Sequence, residues 1–246
     1  MKLAQLGAIA TTMVIAIGMV MVVAPAYTHT VEHNRLPPAM LSFSVVDTSN
    51  APEWCTDLSS VLAKYDVKAT VFVTGWVADQ HPQCVTAFSD KVDIGSQTYS
   101  YANLTGLDYT QALEEVRKGK SAVNAAGSLD SRLFQAPYGS TDANTYSLLS
   151  RSGIIADFSY ESQYNKYEDG QFVKYGLARY EEPTYSPESI RDLFAAKKPA
   201  VISFDNSISI EQIDSFVSAL AADSEIRLVN ASELAGLELT ARGGQA

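Results

Sequence analysis

From Met40 to Val229 the chain alternates short β-rich runs with longer stretches whose apolar residues recur at helical spacing. No other feature restricts the fold as much. The strand-like runs are Met40–Val46, Val67–Thr74, Val92–Gly95, Leu133–Gln135, Ile154–Phe158, Pro199–Phe204 and Ile226–Val229. Helical spacing covers Trp54–Tyr65, Tyr109–Ala126, Asp142–Arg151 and Ile210–Ala222, with Asp108 as a cap and Gly127 just past the end of the second. Gly153 stops the third. Strands that alternate with helices are joined by crossovers and lie parallel. About seven such units predict a single α/β domain built as a distorted (β/α) barrel, with its site at the C-terminal strand ends. An open doubly wound sheet is the rival, but no Gly-rich phosphate loop follows the first strand.

The apolar fraction of 46% and charged fraction of 19% supply a core large enough for such a domain. The formal net charge is −10 and no basic run occurs, which argues against nucleic acid and anionic membrane surfaces as partners. The N-terminus differs. Lys2 precedes a nearly uncharged apolar run to Val23, and Ala24-Pro25-Ala26 resembles a small-residue cleavage site. Residues 1–26 are therefore a signal peptide or, given the length of the run, an N-terminal membrane anchor over 3–23. Either way the chain is expected to be exported, extracellular or at the cell surface, touching membrane only through that segment. Residues 27–38, with Pro37-Pro38, read as a linker, 39–238 as the domain and 239–246 as a disordered tail. His29 and His33 share a four-residue spacing inside the linker, where they are incidental or a flexible metal trap.

Cys55 and Cys84 are the only cysteines. In an oxidising compartment they form one disulfide; otherwise they are two thiols, one or both buried. Asn103-Leu104-Thr105 and Asn230-Ala231-Ser232 match the N-glycosylation tripeptide, a pattern that also recurs by chance. Residues 157–185 carry Phe158, Tyr160, Tyr164, Tyr167, Phe172, Tyr175, Tyr180 and Tyr185 among Glu161, Glu168, Asp169, Glu181 and Glu182. Such a segment either offers faces for sugar rings or packs as a satellite core under a long loop.

Four segments carry a resemblance. The first is the strand end Leu41-Ser42-Phe43-Ser44-Val45-Val46-Asp47, the second Gln97-Thr98-Tyr99-Ser100-Tyr101. The third is Phe134-Gln135-Ala136-Pro137-Tyr138-Gly139 and the fourth Ile202-Ser203-Phe204-Asp205. With Leu62 to Gly75, they resemble in order the motifs of the polysaccharide deacetylase (NodB-homology) family, over about residues 39 to 235. The resemblance implies a distorted barrel of the glycoside hydrolase/deacetylase type. It also implies removal of acetyl groups from amino sugars by a divalent metal held by one Asp and two His, with an Asp base and a His acid.

Against that pattern the chemistry-bearing positions have changed. Ser44 stands for the base and Val45 for the metal Asp. Gln97 and Tyr101 replace the two His, Gln135 the orienting Arg, and Phe204 the acid. An amide is a poor zinc ligand, and a phenol coordinates only when deprotonated. Asp47 is either a recovered carboxylate at the rim or a cap of the turn before Thr48-Ser49-Asn50. Asp205 is either a leftover of the acid's pair or a cap before the helix at Ile210.

The leading expectation is an exported deacetylase-like protein without catalysis, metal or cofactor. Its groove, drawn from Asp47, Gln97, Tyr101, Gln135, Tyr138, Phe204 and Asp205, would bind carbohydrate or another cell-envelope component. The alternative is a zinc- or other metal-dependent hydrolase of carbon–nitrogen bonds in carbohydrate, with a site rearranged around Asp47, Tyr101, Asp205 or the acidic loop. A structural envelope component without a small ligand is the third reading.

Overall fold

β1 (Pro38–Val45) explains the architecture, because its two faces are committed to different surroundings. Ala39, Leu41, Phe43 and Val45 pack with the helices in one core, whereas Met40 joins a second core on the other face. Ser42 and Ser44 share that second face by alternation. A strand buried on both faces belongs in the middle of a parallel sheet.

The computed structural model describes residues 36, 38–47, 49–160, 163–181 and 199–237. The chain divides at Leu36/Pro37, and the fold below belongs to the second unit. The expected export segment over 1–26, the expected linker up to residue 35, the expected tail 239–246, His29, His33, Glu161, Glu182 and Tyr185 lie outside the described residues. Among those described, no helix is long and apolar enough to cross a membrane.

The other strands are β2 (Ala69–Val73), β3 (Val92–Ser96), β4 (Leu133–Phe134), β5 (Ala156–Asp157), β6 (Gln163–Glu168), β7 (Gln171–Gly176), β8 (Ala178–Glu181), β9 (Ala200–Asp205) and β10 (Arg227–Val229). They form one sheet ordered β7-β6-β5-β4-β3-β2-β1-β9-β8. β10 pairs with the start of β1, at Pro38 to Met40, and β2 with its end, at Ser42 to Val45. Among the described residues the pairings are parallel except β5–β6 and β6–β7. The result is a nearly closed, barrel-like α/β sheet in a single domain, as the alternation predicts. Between its two ends, Arg179 of β8 reaches the chain just past β5, donating to the Phe158 carbonyl and, at 3.3 Å, to that of Tyr160.

The helices among the described residues are α1 (Ala51–Lys64), α2 (Gly75–Gln80), α3 (Gln83–Thr86), α4 (Tyr109–Gly127), α5 (Thr145–Arg151), α6 (Ile210–Ala221) and α7 (Ala231–Leu234). α1 buries Ala51, Trp54, Cys55, Leu58, Val61 and Leu62, a stripe at helical spacing. α4 opens on a full capping box between Asp108 and Gln111. Its end corrects the expectation: Gly127 is the last helical residue, and Ser128 takes the left-handed cap at φ 48°. α5 begins later than its periodicity suggests, because the Asp142 carboxylate accepts from the Asn144 and Thr145 amides and holds that stretch as a turn. Cys55 and Cys84 form the disulfide, which joins α1 to α3.

The acidic aromatic segment resolves into a β6–β7 hairpin turning at Asp169 and Gly170, with φ of 49° and 87°. Phe158, Tyr164 and Tyr175 stack successively, with centroids 5.5 and 5.2 Å apart, and the Tyr164 hydroxyl donates to the Leu234 carbonyl. Phe158 and Tyr164 are buried, Tyr175 packs against that core, and Phe172 against another. The satellite-core reading holds for these residues, while Tyr167 lies at the surface.

Candidate functional site

Parallel register brings the C-terminal strand ends to one level: Ser44 aligns with Asp205 and with Phe72, Val73 with Ser96, and Phe134 with Asp157. The barrel below is filled with Met40, Phe72, Leu133, Phe158 and Val201. Gly95 makes room for that filling, since a Cβ there would meet the Phe72 ring at 2.3 Å. Above it comes a polar layer. The buried Gln97 amide donates to the Ser44 hydroxyl at 2.8 Å and the Phe72 carbonyl at 2.9 Å. The Ser42 hydroxyl donates to Gln135 Oε1 at 3.4 Å, and Arg179 donates to the Ser203 hydroxyl at 2.6 Å.

The segment from Gln97 to Tyr101 is clamped from both sides. Gly75 and Trp76 amides donate to the Thr98 and Tyr99 carbonyls, at 3.2 and 2.9 Å. From α4, the Glu115 carbonyl accepts from the Tyr99 amide at 3.0 Å, and its carboxylate from the Ser100 amide at 2.9 Å. Gly119 permits this approach, because a Cβ there would lie 2.6 Å from the Gln97 carbonyl oxygen. The frame of the second motif is thus held by backbone contacts that need no metal ligand.

Two tyrosines form the rim. Tyr101 and Tyr138 both have left-handed backbones, at φ 62° and 59°, and their rings meet edge to face with centroids 5.0 Å apart. Such backbones are costly for aromatic residues, and strain of this kind clusters at functional sites. Tyr138 is 70% exposed. Burial raises the Tyr101 phenol above its ordinary value, Tyr138 and Asp205 add to that, and hydrogen bonding from the Tyr138 backbone and Ser44 only partly offsets it. The phenolate is therefore scarce at neutral pH.

Asp157, at the end of β5, is a site residue that the sequence reading misses. It is fully buried, and burial pushes its carboxyl up to about 6, against hydrogen bonds from Ser159 and Asn165 and the charge of Arg179. The Ser159 hydroxyl donates to Asp157 and accepts from the Ala136 amide at 2.7 Å, so this carboxylate anchors the turn bearing Tyr138. Asn206 is a second such residue. Its buried amide accepts from the Val46 amide at 3.1 Å and donates to the Val46 carbonyl at 3.3 Å, tying the loop after β1 to the one after β9.

Of the expected groove residues, Gln97, Tyr101, Tyr138 and Asp205 come together around Ser44, and Gln135 lies in the polar layer beside Ser42. Phe204 does not belong there. It stacks on Phe43 at 5.1 Å and meets Phe216 of α6 edge to face, in the helix-side core. Strand alternation gives the groove face to Ser203 and Asp205 instead. Asp47 is exposed and makes no hydrogen bond or ion pair among the described residues, so it does not complete a carboxylate pair. Asp205 caps its own turn, accepting from the Ser207 amide at 2.8 Å, and Ser209 caps α6.

The donor set does not fit a divalent metal. Val45 lies in the helix-side core, Gln97 offers only a neutral amide, and Tyr101 is a protonated phenol. Among the described residues no three His, Cys, Asp or Glu side chains converge.

The comparisons agree on the surrounding scaffold. The family model described as polysaccharide deacetylase matches residues 33–156. A family 4 carbohydrate esterase from Streptomyces lividans, solved with acetate, is similar at 19% identity and TM-score 0.58, covering 79% of this chain and 91% of its own. The peptidoglycan deacetylase PdaC from Bacillus subtilis is similar at 18% identity and TM-score 0.59, covering 83% of this chain and 92% of its own. BA3943 from Bacillus anthracis, a CE4 family pseudoenzyme, is similar at 16% identity and TM-score 0.59, covering 79% of this chain and 64% of its own. At these identities the structures speak for the fold alone.

Proposed function

The chain belongs to the polysaccharide deacetylase family, and we propose that it is an exported, non-catalytic member whose groove binds carbohydrate of the cell envelope. The observation that carries this reading is the exposed Tyr138 ring, fixed against Tyr101 by two strained backbones over a layer of neutral serine and glutamine side chains. Sugar rings present apolar faces for such a ring and hydroxyls for such a layer. The pseudoenzyme among the similar structures supports the precedent, and the Cys55–Cys84 disulfide supports an oxidising compartment.

The test is calorimetric titration with an N-acetylglucosamine tetramer. Tyr138→Ala is expected to weaken binding about tenfold, the worth of roughly 1.4 kcal/mol of stacking, while Tyr138→Phe keeps it. Equal affinity in the alanine variant, or no binding by the unaltered chain, would remove the support for this groove as a sugar site.

A further inference from the structure

We propose that Asn103 is an N-glycosylation acceptor, placing an N-linked oligosaccharide beside the groove, and that Asn230 is not. Both begin an Asn-Xaa-Ser/Thr tripeptide, so sequence alone treats them alike. Their surroundings separate them.

Asn103 and Thr105 are exposed in the loop between β3 and α4. Among the described residues the Asn103 side chain bonds through Oδ1, which accepts from the Thr105 amide at 3.1 Å and its hydroxyl at 2.8 Å. Among the described residues its Nδ2, the atom that would carry the sugar, donates to nothing. The Thr105 and Ser140 hydroxyls lie 2.9 Å apart, which joins this loop to the turn bearing Tyr138. A glycan on Asn103 therefore emerges at the rim of the groove.

Asn230 is only 8% exposed, and both its Nδ2 and its Oδ1 are engaged. Nδ2 donates to the Lys91 carbonyl at 3.3 Å, while Oδ1 accepts from the Ser232 hydroxyl and the Glu233 amide as the cap of α7. A sugar on this buried Nδ2 would open the contact with the Lys91 carbonyl in the loop before β3.

The step needs a lipid-diphosphate-linked oligosaccharide as donor. The Asn103 Nδ2–C1 bond forms as the C1–O bond to the diphosphate breaks. The amide proton passes to a base of the transferase, and the lipid diphosphate leaves. The proposal rests on passage through a compartment holding such a transferase, consistent with the disulfide.

The experiment is expression of the full chain in a yeast secretory host, with peptide mass spectrometry before and after enzymatic removal of N-glycans. Asn103 is expected to be occupied in most molecules and Asn230 bare. Thr105→Ala abolishes the modification although Asn103 remains, and Thr105→Ser retains it. A chain that emerges bare at Asn103, whether or not Cys55–Cys84 has closed, overturns the proposal. So does occupancy of Asn103 that survives Thr105→Ala.

Discussion

Replacing both cysteines, as Cys55→Ala with Cys84→Ala, is expected to lower the unfolding free energy by about 3.5 kcal/mol and the midpoint temperature by about 10 °C. The sulfurs are 29 residues apart in sequence, and cross-linking a loop of that length removes this much freedom from the unfolded chain. Both cysteines are fully buried, so the loss adds to any cavity left in the helix-side core. The effect should reach the groove. The disulfide fixes the first turn of α1, from which the Trp54 indole donates to the Ile208 carbonyl at 2.9 Å and the Asn50 amide to the Asn206 carbonyl at 3.1 Å. Those contacts hold the loop that presents Asp205. Denaturant titrations of the oxidised protein and the double variant measure the difference. A loss below about 1 kcal/mol would mean that the closed loop contributes little.

The second large effect concerns pH. The Asp157 carboxyl titrates at about 6 in the fold against an ordinary value of 3.8, because burial disfavours the carboxylate. Between those values the folded form holds a proton that the unfolded chain has released. Stability from this group therefore falls as pH rises from about 4 to about 7, and the total is about 3 kcal/mol. Asp157→Asn removes the titration while keeping the shape. The variant's stability minus that of the unaltered protein should rise by about 3 kcal/mol between pH 4 and pH 7.5. A difference that stays constant over this range would show that Asp157 does not titrate as its burial requires. The carboxylate is linked through Ser159 to the Ala136 amide, and the Ser159 hydrogen bonds favour the charged form, so it is protonation at falling pH that should loosen the turn that carries Tyr138.

Much of this fold was legible in the sequence because a parallel barrel writes its strands as apolar runs and its helices as stripes. The Asp108 cap and the α1 stripe could be read that way, and the disulfide, with two thiols as its alternative, from the even cysteine count. The β6–β7 hairpin was not, although Asp169-Gly170 between two alternating runs is the signal that finds it. The site was legible by position more than by orientation. Motif matching placed Phe204 in the groove, whereas one residue of strand alternation turns it into the helix-side core. Asp157 and Arg179 could not be paired from sequence, since β5 and β8 meet only when the barrel nearly closes. Asn206 carries no motif in the sequence, and only its burial between two loops reveals what it holds.

The central claim is that the barrel persists without the chemistry of its family. Zinc calorimetry on the untagged protein, with acetate release from N-acetylglucosamine oligomers followed in parallel, tests it most directly. The account predicts no binding tighter than roughly micromolar and no acetate released. One-to-one zinc binding well below that, accompanied by acetate, would contradict it. A rebuilt hydrolase site would then be the better reading, with Asp47 and Asp205 the first residues to change.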